Sequence, residues 1–211
     1  GEVARSRRVA SNGRYSLLVW ANRLQSTYSN HVIANKQVSE VGQSGRWRYQ
    51  LRAYIAPATG ATGQAGPEFS MQNTRTDGIR FLTSTAGIQY RASPYEQQPG
   101  SWAIWKEDQT ELAGWQVFLV QPIAAGKWYT IVVEADYDAN RYIRFRLSGH
   151  GIDISIDLTS YSIAREAKSF EREAFWITLE GENLWNNCGT AGPFEYVVYY
   201  DQVKLHQFGG N

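Results

Sequence analysis

The sequence predicts an all-β protein, a two-sheet antiparallel β-sandwich of jelly-roll form with at most one short helix. Apolar and polar residues alternate with period two along most of the chain. The alternating runs are short and are separated by Gly, Pro, Asn and Asp, the punctuation of strands and turns. No fixed-length repeat is visible, which argues against a propeller or solenoid.

The elements follow in order. Arg14–Trp20 reads as a strand after the turn Ser11-Asn12-Gly13, and His31–Glu40 as a second. Trp47–Ala56 alternates cleanly, with Trp47, Tyr49, Leu51 and Ile55 on one face and Arg48, Gln50, Arg52 and Tyr54 on the other. The Gly-rich stretch Pro57–Pro67 predicts a loop. Strands are then expected over Glu68–Arg75, Ile79–Ser84, Gly87–Arg91, Trp102–Lys106 and Trp115–Gln121. Lys127–Asp136 and Arg141–Ser148 flank the short connection Asp138-Ala139-Asn140, which predicts a hairpin. Ile152–Leu158, Phe175–Gly181 and Phe194–Leu205 complete the set. Only Thr159–Glu173, rich in Ala, Glu and Lys and poor in β-branched residues, has helical character.

The chain has 211 residues, of which 43% are hydrophobic and 19% charged. That is ample apolar material for one core and the wrong composition for disorder, so residues 1–211 are read as a single domain. Lys and Arg total 21 against 20 Asp and Glu, a net charge of +1. The basic residues are scattered apart from Arg5, Arg7 and Arg8, so nucleic acid is not an expected partner. The lone Cys188 excludes an internal disulfide framework and a Cys-based zinc site, and reads as a structural thiol. No apolar run is long enough for a membrane span. The chain opens at Gly1 without Met, so a removed leader or a neighbouring domain is expected.

Three segments carry a resemblance. Val9–Val19 (VASNGRYSLLV) resembles the opening strand of jelly-roll carbohydrate-binding modules, and Tyr199–Leu205 (YYDQVKL) resembles their last strand. Gly126–Val133 (GKWYTIVV) looks like a strand of concanavalin A-like lectin and glucanase domains. The resemblance implies one curved sheet able to hold a glycan. It also implies a structural Ca2+ tied to Asp201, with further oxygens from the first residues, such as Glu2, and from backbone carbonyls. The glucanase hallmark of three carboxylates alternating along one strand is absent.

Candidate ligand-binding residues come from the polar faces of strands. Eight Trp, 13 Tyr and 8 Phe offer flat rings for sugar faces, and amide, guanidinium and carboxylate groups bond hydroxyls. The outward sets are Arg48, Gln50, Arg52 and Tyr54; Glu68, Ser70, Gln72 and Thr74; Gln89 and Arg91; and Trp176, Thr178, Glu180 and Glu182. Asn183 and Trp185 follow directly, and Trp102, Trp105 and Trp115 are expected to line the same groove.

The leading expectation is a secreted, non-catalytic carbohydrate-binding module of a larger extracellular protein. Its partner is a polysaccharide or glycan held on a concave sheet, with no catalytic residue. The alternative is a glycan-active enzyme. A glycoside hydrolase would use Glu68 and Glu180. A polysaccharide lyase would use Arg52, Gln72 or Asn73 against a uronate carboxyl and Tyr54 or His150 as base. An adhesive sandwich whose aromatics serve protein contacts is a third reading. Asp136-x-Asp138-x-Asn140 has the opening spacing of a calcium loop but lacks its Gly and distant Glu, and reads as a hairpin tip.

Overall fold

The computed structural model describes residues 2–6, 16–23, 30–56, 64–92, 98–106, 114–168, 172–184 and 194–209, with side chains not described at a few strand ends. Its strands are β1 (Glu2–Ser6), β2 (Ser16–Arg23), β3 (Asn30–Ser39), β4 (Arg46–Ile55), β5 (Gln64–Thr76), β6 (Phe81–Arg91), β7 (Ser101–Trp105), β8 (Trp115–Val120), β9 (Trp128–Asp136), β10 (Arg141–Gly149), β11 (Ile152–Asp157), β12 (Ala164–Lys168), β13 (Ala174–Leu184) and β14 (Phe194–Phe208). The described residues contain no helix.

The strands form two seven-stranded antiparallel sheets. The back sheet runs β1-β2-β14-β4-β9-β10-β11; the front sheet runs β3-β13-β5-β6-β7-β8, with β12 on the second edge of β6. The core lies between them. Leu51, Ala53, Ile131, Val133, Phe145 and Leu147 come from the back sheet and Phe69, Met71, Ile88, Trp102, Ile104 and Phe175 from the front. The alternation of β4 holds as the sequence predicts, with Tyr49, Leu51, Ala53 and Ile55 buried.

Three differences from the sequence expectations have physical reasons. Ala164–Lys168 is a strand, not a helix, because β7 pairs only with the Ile88–Arg91 end of β6, and β12 pairs along Phe81–Thr85. Backbone groups on that stretch of edge need partners, and this demand overrides local helix propensity. Phe81–Ser84 and Gly87–Arg91, expected in two separate strands, belong to one continuous strand, β6, paired with β5 from Thr76↔Phe81 to Glu68↔Gln89. Finally, Gln64–Pro67 of the expected loop belongs to β5, opposite Leu184–Gly181 of β13.

The expected hairpin tip stands at Tyr137–Asn140. Asp136 Oδ1 accepts the backbone N–H groups of Asp138 and Ala139 at 3.1 and 2.9 Å. Asn140 takes a positive φ of 49°, a conformation Asn tolerates well in turns.

A set of phenols ties the sheets together. Four Tyr of the back sheet and its β9–β10 turn reach the backbone of the front sheet. Tyr200 Oη donates to the Glu180 carbonyl at 2.7 Å, and Tyr137 Oη donates to that of Met71 at 2.8 Å. Tyr142 Oη donates to the Trp105 carbonyl at 2.6 Å and accepts the Gly87 N–H at 3.0 Å. Tyr49 Oη approaches the Thr178 carbonyl at 3.5 Å. Burial pushes the Tyr49, Tyr137 and Tyr142 phenols far up from their ordinary range, so each stays a protonated donor. These bonds anchor the central strands β13, β5 and β6, whose opposite face carries the candidate site.

Candidate functional site

Successive residues of a strand face opposite sides of its sheet. In the front sheet Phe69, Met71, Ile88 and Leu179 enter the core, so Glu68, Ser70, Gln72, Gln89, Thr178 and Glu180 point outward. Register then fixes who stands beside whom. Glu180 pairs with Glu68, and Glu68 with Gln89. The next row is Thr178, Ser70 and Gly87; the one after is Trp176, Gln72 and Thr85.

This outward face is recessed. Ser70 is 1% exposed, Thr178 2%, Gln89 7% and Glu180 7%. Polar side chains on a plain solvated sheet are not buried to this degree. The hydroxyl oxygens of Ser70 and Thr178 are buried with no hydrogen-bond partner, which is unusual for buried polar atoms.

Aromatic rings border the rows. Gly87 leaves the space in which Trp115 lies: a Cβ there would stand 3.4 Å from the Trp115 ring and 3.3 Å from Trp105 Cβ. Trp105 and Trp115 pack edge to face with centroids 5.2 Å apart. Trp176 stands two residues from Thr178 on the same face of β13, beside Gln72. Alternation already turns Ser70 and Thr178 outward; the pairing of β13, β5 and β6 is what sets them in one row with Gly87.

The structure thus brings together Glu68, Gln72, Gln89, Arg91, Trp105, Trp176 and Glu180. Glu182 is opposite Gly66 and Asn183 opposite Ala65 on the same strand pair. Trp185 and Cys188 lie outside the described residues. Trp102 is a correction: it is fully buried, packs on Tyr90 and Phe145, and donates its indole N–H to the Gln121 carbonyl at 3.1 Å. It pairs with Tyr90, and that register turns both rings inward.

Arg52 and Tyr54 lie on the back sheet, across the core from Glu68. The Arg52 guanidinium sits 5.8 Å from the Trp128 ring, and Tyr54 packs between Trp128 and Tyr199. Period-two alternation identifies both as outward residues but carries no information on which sheet they face out from. The residues weighed for a lyase are dispersed in the same way. Asn73 is 2% exposed on the inward side of β5, where its amide accepts the Gln43 N–H at 2.8 Å and donates to the Gln43 carbonyl at 2.7 Å. His150 stands in the β10–β11 turn with its ring on Tyr129.

Asp201 sits where β14 shifts register against β4. Its Oδ1 accepts the N–H of Gln202 at 2.7 Å. Among the described residues no group of three or more His, Cys, Asp or Glu comes together.

No protein-family model matches the sequence, and no curated protein matches it. Solved structures do match. A GH131 β-glucanase catalytic domain from Podospora anserina aligns with TM-score 0.50 at 15% identity, over 93% of this chain and 73% of its own. Alginate lyase Aly36B bound to an alginate trisaccharide aligns at 0.48 and 16% identity, over 92% and 84%. A legume lectin-like domain from Entamoeba histolytica aligns at 0.47 and 9%, over 98% and 90%. At these identities the likeness shows the fold alone, a two-sheet β-sandwich of jelly-roll form.

Proposed function

We propose that the protein recognises a carbohydrate on the outer face of its front sheet. The observation that carries this reading is the buried, unpartnered pair of hydroxyls, Ser70 Oγ and Thr178 Oγ1. They lie in the row next to Glu180–Glu68–Gln89, in line with Gly87, above which the Trp115 ring lies. Buried polar atoms cost free energy until a partner arrives. A sugar supplies hydroxyls for Glu, Gln, Ser and Thr and an apolar C–H face for a Trp ring. Titration of polysaccharides against intrinsic Trp fluorescence tests it: quenching or a spectral shift that saturates is expected, with weaker binding by Trp115→Ala.

The expected non-catalytic module and an enzyme both use this face. Glu68 and Glu180, the pair a glycoside hydrolase would use, stand directly opposite each other on it. Secretion and a place in a larger extracellular protein remain part of the proposal, supported by the resemblance of the terminal strands to carbohydrate-binding modules. Calcium at Asp201 is proposed on the same resemblance. A higher Tm with added Ca2+ that EDTA reverses, and that Asp201→Asn abolishes, is the expected result.

A further inference from the structure

We infer that the outer face of the back sheet is a binding surface for a sulfated polysaccharide. This surface lies across the core from the front-sheet face and does not depend on what that face binds.

Along the chain the basic residues look scattered, and strand pairing gathers them. Tyr49, Leu51, Ile131, Val133, Phe145 and Leu147 of β4, β9 and β10 enter the core, so the alternate residues stand on the outer surface. One outer row is Lys204, Gln50, Val132, Arg146 and Ser155. Beside it runs the row His206, Arg48, Glu134, Arg144 and Asp157, and beyond that Phe208, Arg46, Asp136 and Arg141. These three rows hold six cations against three carboxylates, in a chain whose net charge is +1. On the other side the row Asp201, Arg52, Thr130, Ser148 and Asp153 sets two carboxylates against one guanidinium and closes the patch.

Depth separates the signs. The side chains of Glu134 and Asp136 are 4% and 11% exposed, while those of Arg48, Arg144 and Arg46 beside them keep 44%, 49% and 48%. Glu134 serves two guanidiniums, with Arg48 Nη2 at 2.7 Å and Arg144 Nε at 3.9 Å. Asp157 is exposed, but its Oδ1 accepts the N–H and the hydroxyl of Thr159 at 2.8 and 2.6 Å. Arg146 and Lys204 are exposed and make no ion pair among the described residues. The sunken carboxylates therefore hold arginines whose outer edges are left for a ligand. A guanidinium already held in place loses less freedom on binding, and its planar fork takes two oxygens of one oxyanion.

The make-up of the face selects among polyanions. Basic surfaces that dock on membranes add apolar side chains that sink below the headgroups. The exposed large hydrophobics Ile33, Val38, Val41, Ile79 and Val120 all lie off these rows. A protein partner wants an aromatic or aliphatic anchor at the centre of the patch, and Val132 there is half-buried. A flat sheet face enters no nucleic-acid groove. It offers no free ring to stack a base, because the Arg48 guanidinium covers the Phe208 ring at 5.1 Å. A hydrated polysaccharide chain needs neither groove nor anchor. Neighbouring strands lie about 4.8 Å apart and alternate residues about 7 Å apart along a strand, so the six cations share a patch roughly 15 Å on a side. That density matches a polymer with more than one charge per sugar, which sulfation supplies and a single uronate carboxyl does not.

The test titrates fluorescein-labelled dextran sulfate with the full chain and follows anisotropy. Unsulfated dextran, phosphatidylserine vesicles and a DNA duplex are the comparisons. Expected is saturable binding of dextran sulfate that weakens steeply as salt rises, by release of counterions. Arg146→Glu with Lys204→Glu should weaken it about tenfold or more and flatten the salt dependence. Arg146→Gln with Lys204→Gln should fall between that variant and the parent. The same reversal of two charges on the front sheet, Lys36→Glu with Arg165→Glu, should leave the affinity near that of the parent. All three should melt close to the parent, because the four residues are exposed. No binding of dextran sulfate, equal losses in the two reversed variants, or unsulfated dextran bound as tightly overturns the proposal. Tighter binding of the vesicles or the duplex than of dextran sulfate at the same salt also overturns it. Carbohydrate binding at the front sheet is read separately, by Trp fluorescence with a neutral polysaccharide, so either face can fail alone.

Discussion

The hydroxyl of Tyr200, on β14 of the back sheet, donates to the backbone carbonyl of Glu180 on β13 of the front sheet at 2.7 Å. The bond crosses the core and ends at the residue whose side chain stands on the far surface. It couples a buried packing decision to the position of a site carboxylate. Tyr200→Phe keeps the ring and removes only the donor. The expected cost is about 1–3 kcal/mol, the penalty for a buried acceptor left without its bond. Chemical denaturation measures it. Carbohydrate affinity should fall as well, because the strand bearing Glu180 loses an anchor while every side chain of the face remains. A stability loss with unchanged affinity would show that the ladder hydrogen bonds alone hold Glu180 in place.

Ser70 and Thr178 make the opposite trade. Their hydroxyls are buried without partners, a state that costs about 1–3 kcal/mol for each group. Ser70→Ala and Thr178→Val preserve most of the shape and remove the polar atom. Each should raise the Tm of the ligand-free protein and weaken its binding of sugar. A double variant that is more stable yet binds as tightly as the parent would remove the central support for the site.

Arg52 and Tyr54 separate the two faces experimentally. Both belong to β4 of the back sheet, with Arg52 against Trp128. Arg52→Ala and Tyr54→Ala should leave glycan affinity unchanged. Trp115→Ala should reduce it by roughly an order of magnitude or less, the scale of a lost aromatic contact of about 0.5–1.5 kcal/mol. The reverse pattern, measured by the same fluorescence titration, would move the site to the back sheet.

That contrast also shows how far the sequence could be read. Alternation in Trp47–Ala56, Glu68–Arg75 and Phe175–Gly181 sorts inward from outward residues correctly, because each strand has one face in the core and its period is two. It gives no information on partner strands. Arg52 and Glu68 look equivalent as outward polar residues and end on opposite sides of the molecule, since sheet membership depends on long-range pairing. The same limit hides the importance of Ser70 and Gly87, unremarkable until the register sets them beside Thr178 and Trp115. Trp102 shows the complementary failure: two residues of similar chemistry, Trp102 and Trp105, differ in role only through pairing phase. At Ala164–Lys168 local composition favours a helix, and the open edge of β6 decides for a strand.

Acid stability turns on the β9–β10 hairpin. Burial pushes the Asp136 carboxyl up, but the Ala139 N–H, the Arg46 guanidinium and the Asp138 N–H together hold it below the usual carboxylate value. Arg46 Nε lies 3.2 Å from Asp136 Oδ2. A carboxyl whose folded pKa is depressed contributes stability that is fully present above its unfolded value of about 3.9 and is lost as pH falls through the folded value. Asp136→Asn retains an oxygen for the turn N–H groups and discards the charge, so it should cost about 1 kcal/mol at neutral pH, the upper range for a partly exposed ion pair. The difference between the two proteins should shrink steadily as the pH drops below about 4. Paired denaturation curves from pH 7 to strongly acidic buffer check the sign: a gap that stays constant or widens in acid would mean that the ionised carboxylate does not stabilise the hairpin.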